Sequence, residues 1–281
     1  MLFFSTSPVL VRWAAPLSPY EITFGRMATA ALAVGLVVAL RRGDIGLRRS
    51  DLPRFALFGL VTGLHFLLYV ASLSFTTIAH SLSITYTSPI FVAIFSALFL
   101  REPMRPRKYL GVFVAVIGVA VLVGFEPRLT PTMLFGDLLA LGSAVCFGFY
   151  SIIGRSQRAR YPLLSYALGA YGFAALWLLP SAGLQATGSF SVANVMSVVA
   201  LGLFPLALGH TLYNASLRRV HATYVNLIAT QEATGGILLG WLLLNEAPTP
   251  NVWVGWAITL AGIALVLIRQ DANGLGRGDG E

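Results

Sequence analysis

The sequence is short of charge. Of its 281 residues only 11% are Asp, Glu, Lys or Arg, against 57% apolar, and the mean hydropathy is +0.78. So few charges cannot clothe a water-exposed surface, which excludes a soluble globular domain. Cysteine is almost absent: Cys146 stands alone inside an apolar run, so no intrachain disulfide can form. The four histidines are scattered without metal-ligand spacing, and neither a metal nor any other cofactor is expected. Gly-x-Ser-x-Gly and His-Glu-x-x-His are both missing, and with them the usual signatures of a hydrolase or metalloprotease. Residues 1–15 carry no basic leader and lead into further apolar runs, unlike a cleaved signal peptide.

What the chain has instead is one apolar run after another. A hydrocarbon core of about 30 Å takes about 20 residues of helix. Such runs lie near 1–15, 19–40, 53–75, 77–100, 107–125, 134–154, 163–182, 193–217, 221–245 and 249–269. The expected fold is an all-α integral membrane protein with ten transmembrane helices. The first run is short and interrupted by Ser5, Thr6, Ser7 and Arg12, which predicts a truncated first helix. The connections leave no room for a folded extramembrane domain.

The net charge of +8 does not imply nucleic acid, because the basic residues fall in alternate short loops: Arg41 to Arg54, Arg101 to Lys108, Arg155 to Arg160, Arg218 with Arg219, and Arg269 with Arg277. The other connections hold only Arg12 and Arg128. Positive charge gathers on the cytoplasmic side, so both termini are expected in the cytoplasm and the protein in the inner membrane of a bacterial cell.

Sliding the chain along itself by 144 residues uncovers a duplication from the third span to the fifth. Leu68, Tyr69, Ala71, Ser72 and Leu73 meet Leu212, Tyr213, Ala215, Ser216 and Leu217; Glu102, Pro106, Gly111 and Gly118 meet Glu246, Pro250, Gly255 and Gly262. Chance similarity of apolar helices would not align a Glu, a Pro and two Gly. Residues 1–125 and 134–269 thus read as two five-helix repeats followed by a cytoplasmic tail, 270–281. Five is odd, so the second repeat enters the membrane inverted, an arrangement recurrent in secondary transporters.

The segments SPIFVAIFSALFLRE, from Ser88, and QEATGGILLGWLLLNE, from Gln231, each followed by two glycines, resemble the EamA-type permeases of the drug/metabolite transporter superfamily. The resemblance covers nearly the whole chain. It implies a ten-helix carrier with a central solute cavity, many members exporting amino acids or other metabolites. In one respect the chain departs from the pattern: Ala233 stands after Glu232 where the family often has Pro, which puts a break of the ninth helix in doubt, whereas Pro89 keeps the pattern in the first half.

Ionisable groups inside spans are costly and mark solute or ion paths. Glu232 is the foremost candidate, to bind a cationic group or to exchange a coupling proton. Arg26, a few residues into the second span, either snorkels toward Glu21 or binds a carboxylate. His65 and His210 nearly coincide under the repeat, at offset 145, which predicts that they point differently. His80 and His221 are expected at the interface. Ser81, Thr85 and Ser88 share one helical face, as do Asn226 and Thr230, either as ligands or as bridges between helices. Tyr69, Tyr86 and Tyr213 could stack on or hydrogen-bond a solute. Glu102 and Glu246, at span ends, are expected to favour the N-terminus of the next helix. The glycine pairs are read as scaffold or as the contact of a homodimer. The expected partners are a small-molecule solute, the lipid bilayer and possible coupling protons. Rival functions are a membrane-embedded lipid-processing enzyme or a channel, but neither clustered catalytic groups nor a charge ring or filter-like loop is present.

Overall fold

The computed structural model describes residues 2–41, 48–124 and 130–267. Arg42, Arg128, Arg269, Arg277 and the proposed 270–281 tail lie outside the described residues. Every regular element among the described residues is helical. The first part of the chain forms α1 (Leu2–Ser5), α2 (Ser7–Trp13), α3 (Pro19–Leu40), α4 (Leu52–Ser72), α5 (Ile78–Thr85), α6 (Ser88–Phe95) with a π-helical continuation Ser96–Leu100, and α7 (Pro106–Gly124). The second part forms α8 (Pro131–Ser156), α9 (Leu163–Leu184), α10 (Val192–Leu201) with a π-helical segment Gly202–His210 leading into α11 (Thr211–Leu217), α12 (Ala222–Ala229), α13 (Gln231–Leu244) and α14 (Pro250–Leu267).

Seven helical stretches are long and apolar enough to cross a membrane by length and composition: Pro19–Leu40, Arg49–Ser72, Ile78–Leu100, Pro131–Ser156, Leu163–Leu184, Val192–Leu217 and Ala222–Leu244. Two shorter apolar stretches, Lys108–Gly118 and Pro250–Val266, accompany them. Residues 2–13, read as one short span, form two separate short helices.

Local chemistry sets the ends of these helices. Ser18 accepts from the Glu21 amide and Glu21 reaches back to the Ser18 amide, a capping box with Pro19 in the first turn. A second Glu21 oxygen accepts from the Thr187 amide at 3.1 Å. The chain between α5 and α6 turns at Tyr86 and Thr87, just before Pro89, which has no amide proton to give the Thr85 carbonyl. At the far ends of the fourth and ninth runs, Arg101 and Asn245 both adopt left-handed backbone, with φ of 55° and 56°. The amides that follow reach back alike, Glu102 to the Ser96 carbonyl and Glu246 to the Gly240 carbonyl.

The break expected least is present: the ninth run is interrupted at Thr230 although no proline follows Glu232. The Thr230 amide is shared between the Asn226 and Leu227 carbonyls, a tightening toward three-residue turns that divides α12 from α13.

Apolar burial gives helices in lipid no net drive to associate, so close packing and buried polar bonds hold the bundle. The glycine pairs have that role within the chain, between α7 and α14. A methyl group at Gly262 would strike the Ala115 amide and the Gly111 carbonyl; one at Gly118 would strike Thr259 and the Gly255 carbonyl. Across the same seam the Thr259 hydroxyl contacts the Ala115 carbonyl at 3.3 Å. The seam makes Gly262→Val costly, by about 1–3 kcal/mol of overpacking, seen as a lower thermal midpoint in detergent. Gly172→Ala, with nothing within 4 Å of the added methyl, should leave the midpoint unchanged.

Candidate functional site

Charged and aromatic side chains from both parts of the chain converge on one central cleft. It is lined by Phe4, Ser7, Arg26, His65, Phe66, Tyr69, Leu82, Thr85, Tyr86, Phe147, Pro205, His210 and Glu232. The cavity between these side chains is about 20 Å³. That is room for a water or two and not for a metabolite. A larger outward groove between α3, α9 and the second π segment is lined almost wholly by aliphatic and aromatic side chains and carries no comparable polar cluster.

Arg26 lies on the buried face of α3 with Ile22, Thr23, Met27 and Ala30. It is fully buried, and it does not snorkel toward Glu21, whose carboxylate is occupied at the helix cap and at Thr187. The guanidinium lies over the Phe66 ring, 4.3 Å from its centre, a cation–π contact. Its Nε and Nη1 have no hydrogen-bond partner among the described residues. Glu232 comes from α13 and accepts a hydrogen bond from the Tyr86 hydroxyl. An arginine with donors left over and a carboxylate with one donor thus line one buried cleft, a costly arrangement without further partners.

The two histidines point into the same cleft, contrary to the expectation from their one-residue mismatch. His65 comes from α4, and His210 ends the Gly202–His210 π segment. The ring centres of His65 and His210 are 6.4 Å apart. His65 stacks on Phe147 at 4.6 Å and its Nδ1 lies 2.9 Å from the Ser143 hydroxyl, whereas His210 packs on Phe4 and its Nδ1 has no hydrogen-bond partner among the described residues.

Of the remaining candidates, Tyr69, Tyr86 and Thr85 line the cleft. Ser88, Asn226 and Tyr213 do not; they form a bridge beside it. The Ser88 hydroxyl donates to Asn226 Oδ1 (2.9 Å), Asn226 Nδ2 donates to the Tyr213 hydroxyl (3.2 Å), and Tyr213 lies 2.7 Å from Ser151 Oγ. Thr230 turns back on its own helix, donating to the Leu227 carbonyl at 2.6 Å. The turn at Tyr86 and Thr87 is the reason that Thr85 and Ser88, one face of a straight helix, part company.

His80 stands in the first turn of α5. It is buried, with Nδ1 3.2 Å from Asp137, which also accepts from the Thr76 hydroxyl. Asp137, an acid within a span, was findable by the rule that singles out Glu232 and Arg26. Phe4, Ser7 and Phe147 carried no such signal: an apolar ring or a lone hydroxyl in an apolar run looks like packing.

Comparison with known proteins places this geometry. The family profile described as "EamA-like transporter family" matches residues 1–124 and 134–268. The "Probable terminal-alkyne amino-acid exporter" of Streptantibioticus cattleyicolor is 28% identical over 273 residues, covering 92% of this chain and 90% of that protein. The "Riboflavin transporter" of Brucella anthropi is 24% identical over 250 residues, covering 86% of each. A solved structure described as "Crystal structure of protein" superposes with a TM-score of 0.76 at 22% identity, covering 94% of this chain and 92% of the other, a likeness of fold alone.

The bridge and the cleft differ in what they cost to alter. Tyr213→Phe removes the shared hydroxyl of the bridge and should lower stability by about 0.6 kcal/mol for each broken bond. Thr85→Val removes a buried hydroxyl that has no partner and should be neutral or stabilising. Thermal unfolding of both variants in one detergent checks the contrast.

Proposed function

The chain belongs to the EamA-like transporter family and is a multi-pass membrane transporter, not an enzyme; on that premise we propose that it exports a small zwitterionic metabolite, such as an amino acid, across the inner membrane of a bacterial cell. The observation that carries the reading is the pairing of Arg26 and Glu232 in one closed cleft. A solute with a carboxylate and an ammonium supplies each with its missing opposite charge, and the surrounding rings cover the apolar part. A purely cationic solute would leave the buried guanidinium unmatched. The printed name of the Streptantibioticus cattleyicolor relative, an amino-acid exporter, agrees with this class.

In this proposal ten spans form two inverted five-helix halves, residues 1–125 and 134–269, with both termini cytoplasmic. Support comes from the 144-residue offset, the alternation of loop arginines, and the family's match in two successive stretches. The closed cleft between the halves opens to one side at a time, and Glu232 exchanges a proton with the solute's amine or with water as it does so. The Tyr86 hydroxyl donates to Glu232, so a change of pairing at Glu232 is felt at the α5–α6 turn.

Flux into proteoliposomes tests the reading. We expect saturable uptake of a labelled amino acid, reduced at least tenfold by Arg26→Gln. Glu232→Gln should retain some flux but lose its response to an imposed pH gradient. Amine substrates carried as well as amino acids, with no effect of Arg26→Gln, would refute the assignment of class; an unchanged pH response in Glu232→Gln would refute the proton role.

A further inference from the structure

Two arginine clamps sit at opposite ends of the bundle. At one end Arg12 Nε binds Glu246 Oε1 at 3.0 Å, while its Nη1 and Nη2 donate to the carbonyls of Leu73 and, at 3.1 Å, Thr76. At the other end Arg155 binds both Glu102 oxygens through Nε and Nη2, at 2.8 and 3.2 Å, and its Nη1 donates to the carbonyls of Leu217 and Val220, both at 3.0 Å. Leu217, Val220 and Glu246 are Leu73, Thr76 and Glu102 displaced by 144 residues; Arg155 is Arg12 displaced by 143. The same four-part contact is therefore made twice. It also corrects the expected role of the two glutamates, which face arginines of the other half instead of the next helix.

The axis of α8 separates the clamps. Asp137, near its start, binds Thr76 of the first clamp; Arg155 lies in its last turn. At about 1.5 Å per residue that stretch covers about 27 Å, the thickness of a hydrocarbon core. Phe147, a wall of the central cleft, lies between them.

In each clamp the carbonyls bound by the arginine belong to its own half, and the glutamate to the other. Separating the halves at one end thus breaks the ion pair, together with the Ile78 amide bond to Glu246 at the first clamp and the Arg158 and His221 contacts to Glu102 at the second, and leaves the guanidinium held by two carbonyls. Both pairs are partly exposed, with side chains 29% and 29% accessible at Arg12–Glu246 and 13% and 26% at Arg155–Glu102, so water can take over from each partner as it leaves. The Glu102 carboxyl is held below its ordinary value: burial raises it, and Arg155 and then Arg158 outweigh that. The pair therefore stays charged from neutrality down toward the ordinary carboxylate range and loosens only below it.

We propose that Arg12–Glu246 and Arg155–Glu102 are the two latches of the carrier, one sealing the central cleft from each side of the membrane, and that transport requires them to open in alternation. With both shut, as here, the cleft is too small for a metabolite. The proposal rests on the alternating-access reading above, but its test needs no solute.

Thr85→Cys, in a Cys146→Ala background, reports whether the cleft is open to a membrane-impermeant maleimide from outside intact cells or through inside-out vesicles. Glu246→Gln and Arg12→Gln should each raise labelling several-fold from one side only, and Glu102→Gln from the other only. Arg12→Lys, which keeps the charge but loses the fork, should open the same side as Arg12→Gln more weakly, so the answer does not depend on the harshest variant folding. Labelling that does not change, or that rises from both sides alike, overturns the latches. Side-specific labelling by a protein without flux would sink the carrier reading and leave the latches standing; saturable flux with no change in labelling would do the reverse.

Discussion

A guanidinium and a carboxylate lining one buried cleft, with few partners inside the protein, are the constraint on which this structure depends. Deep in a bilayer a charge persists only with partners inside the protein. Arg26 has the Phe66 ring and little else; Glu232 has one tyrosine hydroxyl. The rest of the chain satisfies its buried polar groups more fully, as in the Ser88–Asn226–Tyr213–Ser151 bridge and the His80–Asp137–Thr76 cluster. Among the described residues, unpartnered buried atoms gather at the central cleft, on Arg26, Thr85 and His210, with others scattered at Ser96, Asn214 and Thr223, and a site left short of partners in this way is suited to a solute that brings them.

The scaffold isolates that deficit. Glycine seams between α7 and α14 bring those helices into backbone contact, while the elements around the cleft are broken ones: α5 from α6 at Tyr86 and Thr87, α12 from α13 at Thr230, and a π segment ahead of α11. Rigid helices thus flank interrupted ones, and the interruptions fall beside the groups that face the cleft. An irregular backbone at membrane depth is tolerable only where it is enclosed by protein or lines a cavity. The clamps at Arg12 and Arg155 complete the enclosure at either end.

Much of this was legible in the sequence, because its strongest signals are physical necessities. Apolar runs of span length, the rarity of charge within them, and a duplication that aligned Glu102 with Glu246 led to the class, to Arg26 and Glu232, and to the tyrosines. Other features depend on backbone detail that residue types do not declare. Thr230 breaks its helix without a proline; a π segment precedes His210; and residues 2–13 form two short helices that contribute Phe4 and Ser7 to the cleft. The pairing of Glu102 and Glu246 with arginines of the other half was hidden for a different reason. It is a contact between elements far apart in sequence, and the offset of Arg12 and Arg155 is one residue short of the repeat.

Equilibrium binding to the purified protein tests the central claim most directly, by comparing proteinogenic amino acids with their methyl esters in wild type and Arg26→Gln. The account predicts saturable binding of an amino acid that its ester does not match, with the difference abolished when Arg26 is replaced. Equal binding of acid and ester by the wild-type protein, or a preference for the acid that survives Arg26→Gln, would contradict it.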